Sequence, residues 1–215
     1  MKIGPRPGGQ APPRRPNCYF FPTKIFINLA PRDRDMAKKD SFFIRANVEA
    51  DSGGTYNQTE IDLGSFVNLG VKSSTLLRIH NVAVAVQDGT AAAGMTPELA
   101  IYSTAVPGAN IAYQLTTETH ADMKGAYEKS IIASGSLTCY GDSTSTAHPQ
   151  ALSHQADVLP QHWTNGYLIG VDSIFLGAEV GGTLSSGDAT VSVILECTLE
   201  SATQASATAL ALSQQ

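Results

Sequence analysis

Residues 189–200 read Ala-Thr-Val-Ser-Val-Ile-Leu-Glu-Cys-Thr-Leu-Glu, and this alternation decides the fold class. Ala189, Val191, Val193, Leu195, Cys197 and Leu199 hold one phase. Thr190, Ser192, Ile194, Glu196, Thr198 and Glu200 hold the other. Successive side chains of a strand point to opposite faces, so a period of two with one apolar phase describes a half-buried antiparallel strand. Ile194 alone breaks the polar phase.

Upstream, the same period recurs. Phe42, Ile44, Ala46 and Val48 alternate with Phe43, Arg45, Asn47 and Glu49, and Asp51-Ser52-Gly53-Gly54 closes that strand as a turn. Between residues 75 and 87 the apolar set is Leu77 and Ile79 first, then Val82, Val84 and Val86, so the phase slips near His80-Asn81. A β-bulge explains the slip, because one extra residue re-aims every later side chain. Burial of both faces, with Ala83 and Ala85 on the second, is the other account. Further strands are predicted at 25–29, 55–63, 98–104, 111–117, 129–140 and 167–178, the last apolar on both phases and therefore central. Pro107-Gly108-Ala109-Asn110 reads as a hairpin loop. A helical turn at 119–128 is interrupted by Gly125. Residues 141–164 have no periodicity, and loops of that length usually carry contacts or function.

These nine strand candidates, mostly separated by turns rather than by long helices, predict an all-β antiparallel sandwich or barrel. A Greek-key sandwich of eight or nine strands, the jelly roll, accounts for their number, whereas an immunoglobulin-like sandwich would span only about 100 residues. At 215 residues the chain fits one domain. The division expected is an extended basic Pro/Gly-rich arm at 1–16, a single jelly-roll domain at 17–201 and a flexible C-terminal tail at 202–215.

Charge is unevenly spread. Residues 1–45 hold ten bases against three acids, a net +7, and the remainder holds four bases against sixteen acids, a net −12. Of those bases Lys2, Arg6, Arg14 and Arg15 lie within the arm, among Pro5, Pro7, Pro12, Pro13 and Pro16. Such an arm can neutralise phosphates in a salt-dependent way, or dock on the acidic body of a neighbouring subunit. No run approaches the roughly 20 apolar residues of a membrane helix, and no secretory signal is read at the N-terminus. Cys18, Cys139 and Cys197 are too far apart for a disulfide framework or a CxxC metal site, and they point to synthesis in a reducing cytosol.

Catalytic motifs are absent from the sequence: no GxSxG in a strand-turn-helix context, no GxxxxGK[ST] and no HExxH. The expectation is a protein that is not an enzyme and takes no cofactor. His148, His154 and His162 lie with Asp157 in fifteen residues, at spacings that match no metal motif. With Trp163, these histidines are the candidate loop contacts or ligand-binding residues. Tyr19, Phe20 and Phe21 precede Pro22 and read as core anchors rather than as a base-stacking platform.

The basic Pro-rich arm (Pro12-Pro13-Arg14-Arg15-Pro16), the short Val-, Thr- and Ile-rich strands, the long Gly/Ser/Thr loops and the regular final strand together resemble single jelly-roll viral coat proteins. The resemblance implies a virion protein made in the host cytoplasm that self-assembles into an icosahedral shell. Its partners would be copies of itself, other capsid proteins, and packaged nucleic acid where the arm reaches it. The alternative is a non-enzymatic ligand-binding sandwich, lectin-like or part of a fibre-associated trimer.

Overall fold

The computed structural model describes residues 40–70, 73–88, 108–141, 150–182 and 188–214. They form nine strands: β1 Phe42–Ala50, β2 Asn57–Asp62, β3 Ser73–Asp88, β4 Gly108–Thr116, β5 Ile131–Gly141, β6 Gln150–Val158, β7 Tyr167–Ile169, β8 Ser173–Gly181 and β9 Ala189–Thr203. One helix, α1 Gln204–Ser213, follows. The strands predicted at 25–29 and 98–104, like the arm at 1–16, lie outside the described residues.

Every strand pairing is antiparallel, and the two sheets have the orders β1-β9-β3-β7 and β2-β8-β4-β5-β6. The first strand pairs with the last, β2 with β8, β3 with β7 and β4 with β5. That is one long two-stranded ribbon, folded at the β4–β5 hairpin and rolled until its halves form two layers, which is the jelly roll. β6 is an added fifth strand at the edge of the second sheet.

The predicted apolar phase of β9 is the buried one, with Ala189, Val191, Val193, Leu195 and Cys197 all at most 1 % exposed. They share one core with Leu77, Ile79, Ile111, Leu115, Ile174 and Leu176. β3 carries the bulge read from its sequence: its pairing with β9 shifts between Ile79 and Asn81. Ala83 and Ala85 are exposed, so the slip re-aims the valines and does not mark a strand covered on both faces. Gly166, at φ 64°, packs on the Ile79 carbonyl beside the bulge, where any Cβ would overlap the backbone.

Four local expectations are corrected. Residues 167–178 are two strands in different sheets, because Gly170, Val171 and Asp172 turn the chain from one layer to the other. Gly108, Ala109 and Asn110 lie in β4 rather than in a hairpin loop. Residues 119–128 form turns and bends instead of a helical turn. Within the aperiodic 141–164, β6 was hidden because an edge strand with Ser153, His154, Gln155 and Asp157 exposed has no apolar phase to read.

Where a flexible tail was expected, residues 204–213 form α1. β9 continues to Thr203, whose Oγ1 accepts from the Ser206 N–H at 3.3 Å and caps α1. Ala207 is fully buried, and Gln214 is a latch: its Oε1 accepts from Gly170 N–H at 2.9 Å, its Nε2 donates to the Leu168 carbonyl at 2.6 Å, and its own carbonyl accepts from Thr117 Oγ1 at 2.5 Å. A buried amide side chain replaces a strand partner for the β7–β8 turn, which no apolar pattern could announce. Replacing Gln214 by Ala is expected to cost about 1–3 kcal/mol. Urea unfolding measures the loss, and faster hydrogen exchange at Gly170 locates it.

Candidate functional site

Trp163 sits where the chain returns from the second sheet to the first. Leu159 and Pro160 are buried and anchor a 3-10 turn, Pro160–His162, closed by the Trp163 N–H donating to the Pro160 carbonyl at 3.1 Å. Gln161 then reaches β3: its Nε2 donates to the Val82 carbonyl and its Oε1 accepts from the Val82 N–H, both at 3.1 Å. β7 covers only Leu77 to Ile79 of β3, so the Gln161 amide extends that pairing past the bulge. Held from below, Trp163 remains 47 % exposed and lies 5.8 Å from the Tyr167 ring, tilted by 32°.

Arg78 ties this loop to the last strand. Its Nε and Nη2 donate to the two carboxylate oxygens of Glu200 at 2.5 and 2.8 Å, and Nη1 donates to the Asn165 carbonyl at 2.6 Å. The paired carboxylate pushes the guanidinium pKa up. Close by, the ring of His80 shares a hydrogen bond between Nε2 and Thr198 Oγ1 at 2.8 Å. Both residues were missed as site elements, although Arg78 is one of only four bases in the acidic body.

Of the predicted histidines, His154 and His162 are described, and they stand on different elements. His148 lies outside the described residues, as do Lys2, Arg6, Arg14 and Arg15. His154 stands exposed on β6, sharing a 3.0 Å hydrogen bond with the Tyr113 hydroxyl, while His162 is exposed at the end of the 3-10 turn. Tyr113 is 1 % exposed, and burial, aided by the charge of Asp157, pushes its phenol up to about 12. Its hydroxyl passes over Gly135, opposite it on β5, where a Cβ would strike both that hydroxyl and the Gln155 carbonyl. His154 is thus the outer partner of a core tyrosine. Among the described residues no three His, Cys, Asp or Glu side chains converge as metal ligands.

A second surface lies on the outer face of the first sheet. Register aligns Arg45, Ile194 and Ala83 in one row and Phe43, Glu196 and Asn81 in the next. Phe43 is 54 % and Ile194 39 % exposed, and the Arg45 guanidinium lies 5.9 Å from the centre of the Phe43 ring. The signal was in the sequence: both are apolar residues on the polar phase of their strands. Such rows offer cation–π and apolar contact to a partner surface, and they carry no acid–base pair.

The thiol of Cys197 behaves differently from a reactive cysteine. It is fully buried, and desolvation pushes it up to about 12. With Cys18 and Cys139 replaced by serine, a chromogenic disulfide reagent at pH 8 is expected to leave the native protein unmodified and to titrate one thiol only after denaturation.

No family model matches the chain, and no curated protein sequence is similar to it. Among solved structures it is similar to human polyomavirus 12 VP1 in complex with 3'-sialyllactosamine, at 10 % identity over 76 % of this chain and 100 % of that one, TM-score 0.33. Merkel cell polyomavirus VP1 in complex with GD1a oligosaccharide matches at 9 % identity over 74 % and 96 %, TM-score 0.32. Trichodysplasia spinulosa-associated polyomavirus VP1 in complex with sialylated precision glycooligomers matches at 11 % over 74 % and 94 %, TM-score 0.27.

Proposed function

We propose that this chain is a structural, non-enzymatic coat subunit of a virion, made in the host cytoplasm and assembling in many copies into an icosahedral shell. The observation that carries the reading is the ribbon pairing of β1 with β9, β2 with β8, β3 with β7 and β4 with β5, the architecture used by capsid and lectin domains, joined to a basic N-terminal segment. Fold alone assigns no function, so the charge division and the exposed outer face of the first sheet supply the second support. A +7 segment and a −12 body attract one another between copies, and the same segment attracts phosphate. Lys2, Arg6, Arg14 and Arg15 make these inter-subunit or genome contacts in this reading, and other capsid proteins are candidate partners.

A lectin-like module, on its own or in a fibre-associated trimer, is the second reading. What favours it is Trp163, half exposed beside Tyr167 on a loop braced by Arg78 and Gln161. Aromatic side chains held rigidly at a surface dominate binding energies.

Negative-stain microscopy and light scattering of the purified full-length chain separate the two. Regular particles whose size or salt dependence changes on deletion of residues 1–16, with the melting temperature unchanged, are the expected result. A monomer or trimer at every salt and pH, with glycan binding abolished by Trp163→Ala, would overturn the shell reading in favour of the second.

A further inference from the structure

A sheet edge is a row of unpaired N–H and C=O groups, and proteins guard such edges against pairing with other chains. Among the described residues the two sheets have four edges, and three of them are guarded. β7 has three residues, β2 has six and exposes Glu60 and Asp62, and β6 pairs with β5 through a register shift and exposes Asp157. β1 is longer than β7 and β2 and has no register shift, and the charges it exposes, Arg45 and Glu49, are of opposite sign. It runs nine residues without Pro or Gly, its ladder with β9 is unbroken, and no strand among the described residues pairs with its other side. It also exposes Phe43, which alone would make it an aggregation site.

Its charges are placed for one partner. Arg45 and Glu49 lie four residues apart on the same outward face, with Asn47 between them. In an antiparallel pair of two β1 strands related by a two-fold axis at Asn47, Arg45 of each copy falls opposite Glu49 of the other, and Ala46 opposite Val48. Axes one or two residues earlier place Arg45 opposite Asn47 or opposite a second Arg45, and form no ion pair between strand residues. The Glu49 carboxyl meets Asp188 rather than a base, and that hydrogen bond and charge push its pKa up. An incoming guanidinium relieves the repulsion.

We propose that the outer edge of β1 pairs with the β1 edge of a second copy of this chain, antiparallel and centred on Asn47, joining two four-stranded sheets into one of eight. The contact is isologous, as a two-fold interface requires, and opposite charges facing one another across the strands fix its register. It rests on the reading of the chain as a self-associating subunit and names one of its contacts.

The test uses the full chain with Cys18 and Cys139 replaced by serine. Mild oxidation of N47C is expected to give a covalent dimer. R45E is expected to weaken dimerisation in sedimentation about tenfold or more, and R45E/E49R to restore it, because the reversed pair is again complementary. Particles that form normally while N47C never cross-links and R45E has no effect would overturn this contact and leave the shell reading standing. A cross-linked, charge-swap-dependent dimer that never builds particles would sustain the contact and sink the shell reading. Exchange-protected β1 amides in a monomer, with no cross-link, would mean that another segment of the same chain fills the edge, and would overturn the proposal.

Discussion

The structure depends on β9 being hydrogen-bonded on both sides, to β1 over nine residue pairs and to β3 over fifteen. Over residues 189–197, paired on both sides, the strand satisfies its backbone inside the first sheet and can bury one face against the second without stranding a polar group. Its five fully buried side chains then set the floor of the core on which the second sheet lies. Everything at the periphery is arranged around that floor. The bulge in β3 lets its valines keep facing β9's apolar phase, and the Gln161 and Gln214 amides supply strand-like hydrogen bonds where the ladder runs out.

How much of this could be read from the sequence follows from where burial is one-sided. β1, β3 and β9 belong to a sheet with one face on the core and one outward, so period two is written plainly into Phe42 to Val48, Leu77 to Val86 and Ala189 to Leu199. The slip at His80-Asn81 is legible for the same reason, since a bulge is visible only against a regular background. β8 lies inside the second sheet and alternates poorly, which merged it with β7, and β6 lies at its edge with little burial to record. α1 is short of charge and buries one alanine, so its apolar pattern gives little sign of docking, and the Gln214 hydrogen bonds beyond its end have no pattern at all. His154 and His162, near in sequence, have different neighbours because a strand end and a 3-10 turn lie between them.

The candidate contact surfaces share a property that composition hid. The modest overall charge of −5 averages a basic beginning and an acidic body. Among the described residues those that break pattern are the informative ones: Phe43 and Ile194 on polar phases, Arg78 among acids, Trp163 raised on a braced loop. Phe43, Ile194 and Trp163 are held by the sandwich where they meet solvent, and Arg78 braces the loop that carries Trp163. What the fold positions is surface.

Pairing the first strand with the last also has a kinetic side. Val48 meets Val191 and Phe42 meets Cys197, so the closing contacts of the first sheet span most of the chain. Loop closure across such separations is slow, whereas the β4–β5 hairpin joins residues close in sequence and can form early. On a ribosome, β1 emerges long before its partner exists. Its pairing in the first sheet waits until β9 has arrived, so that sheet closes late in synthesis although its first strand is made early.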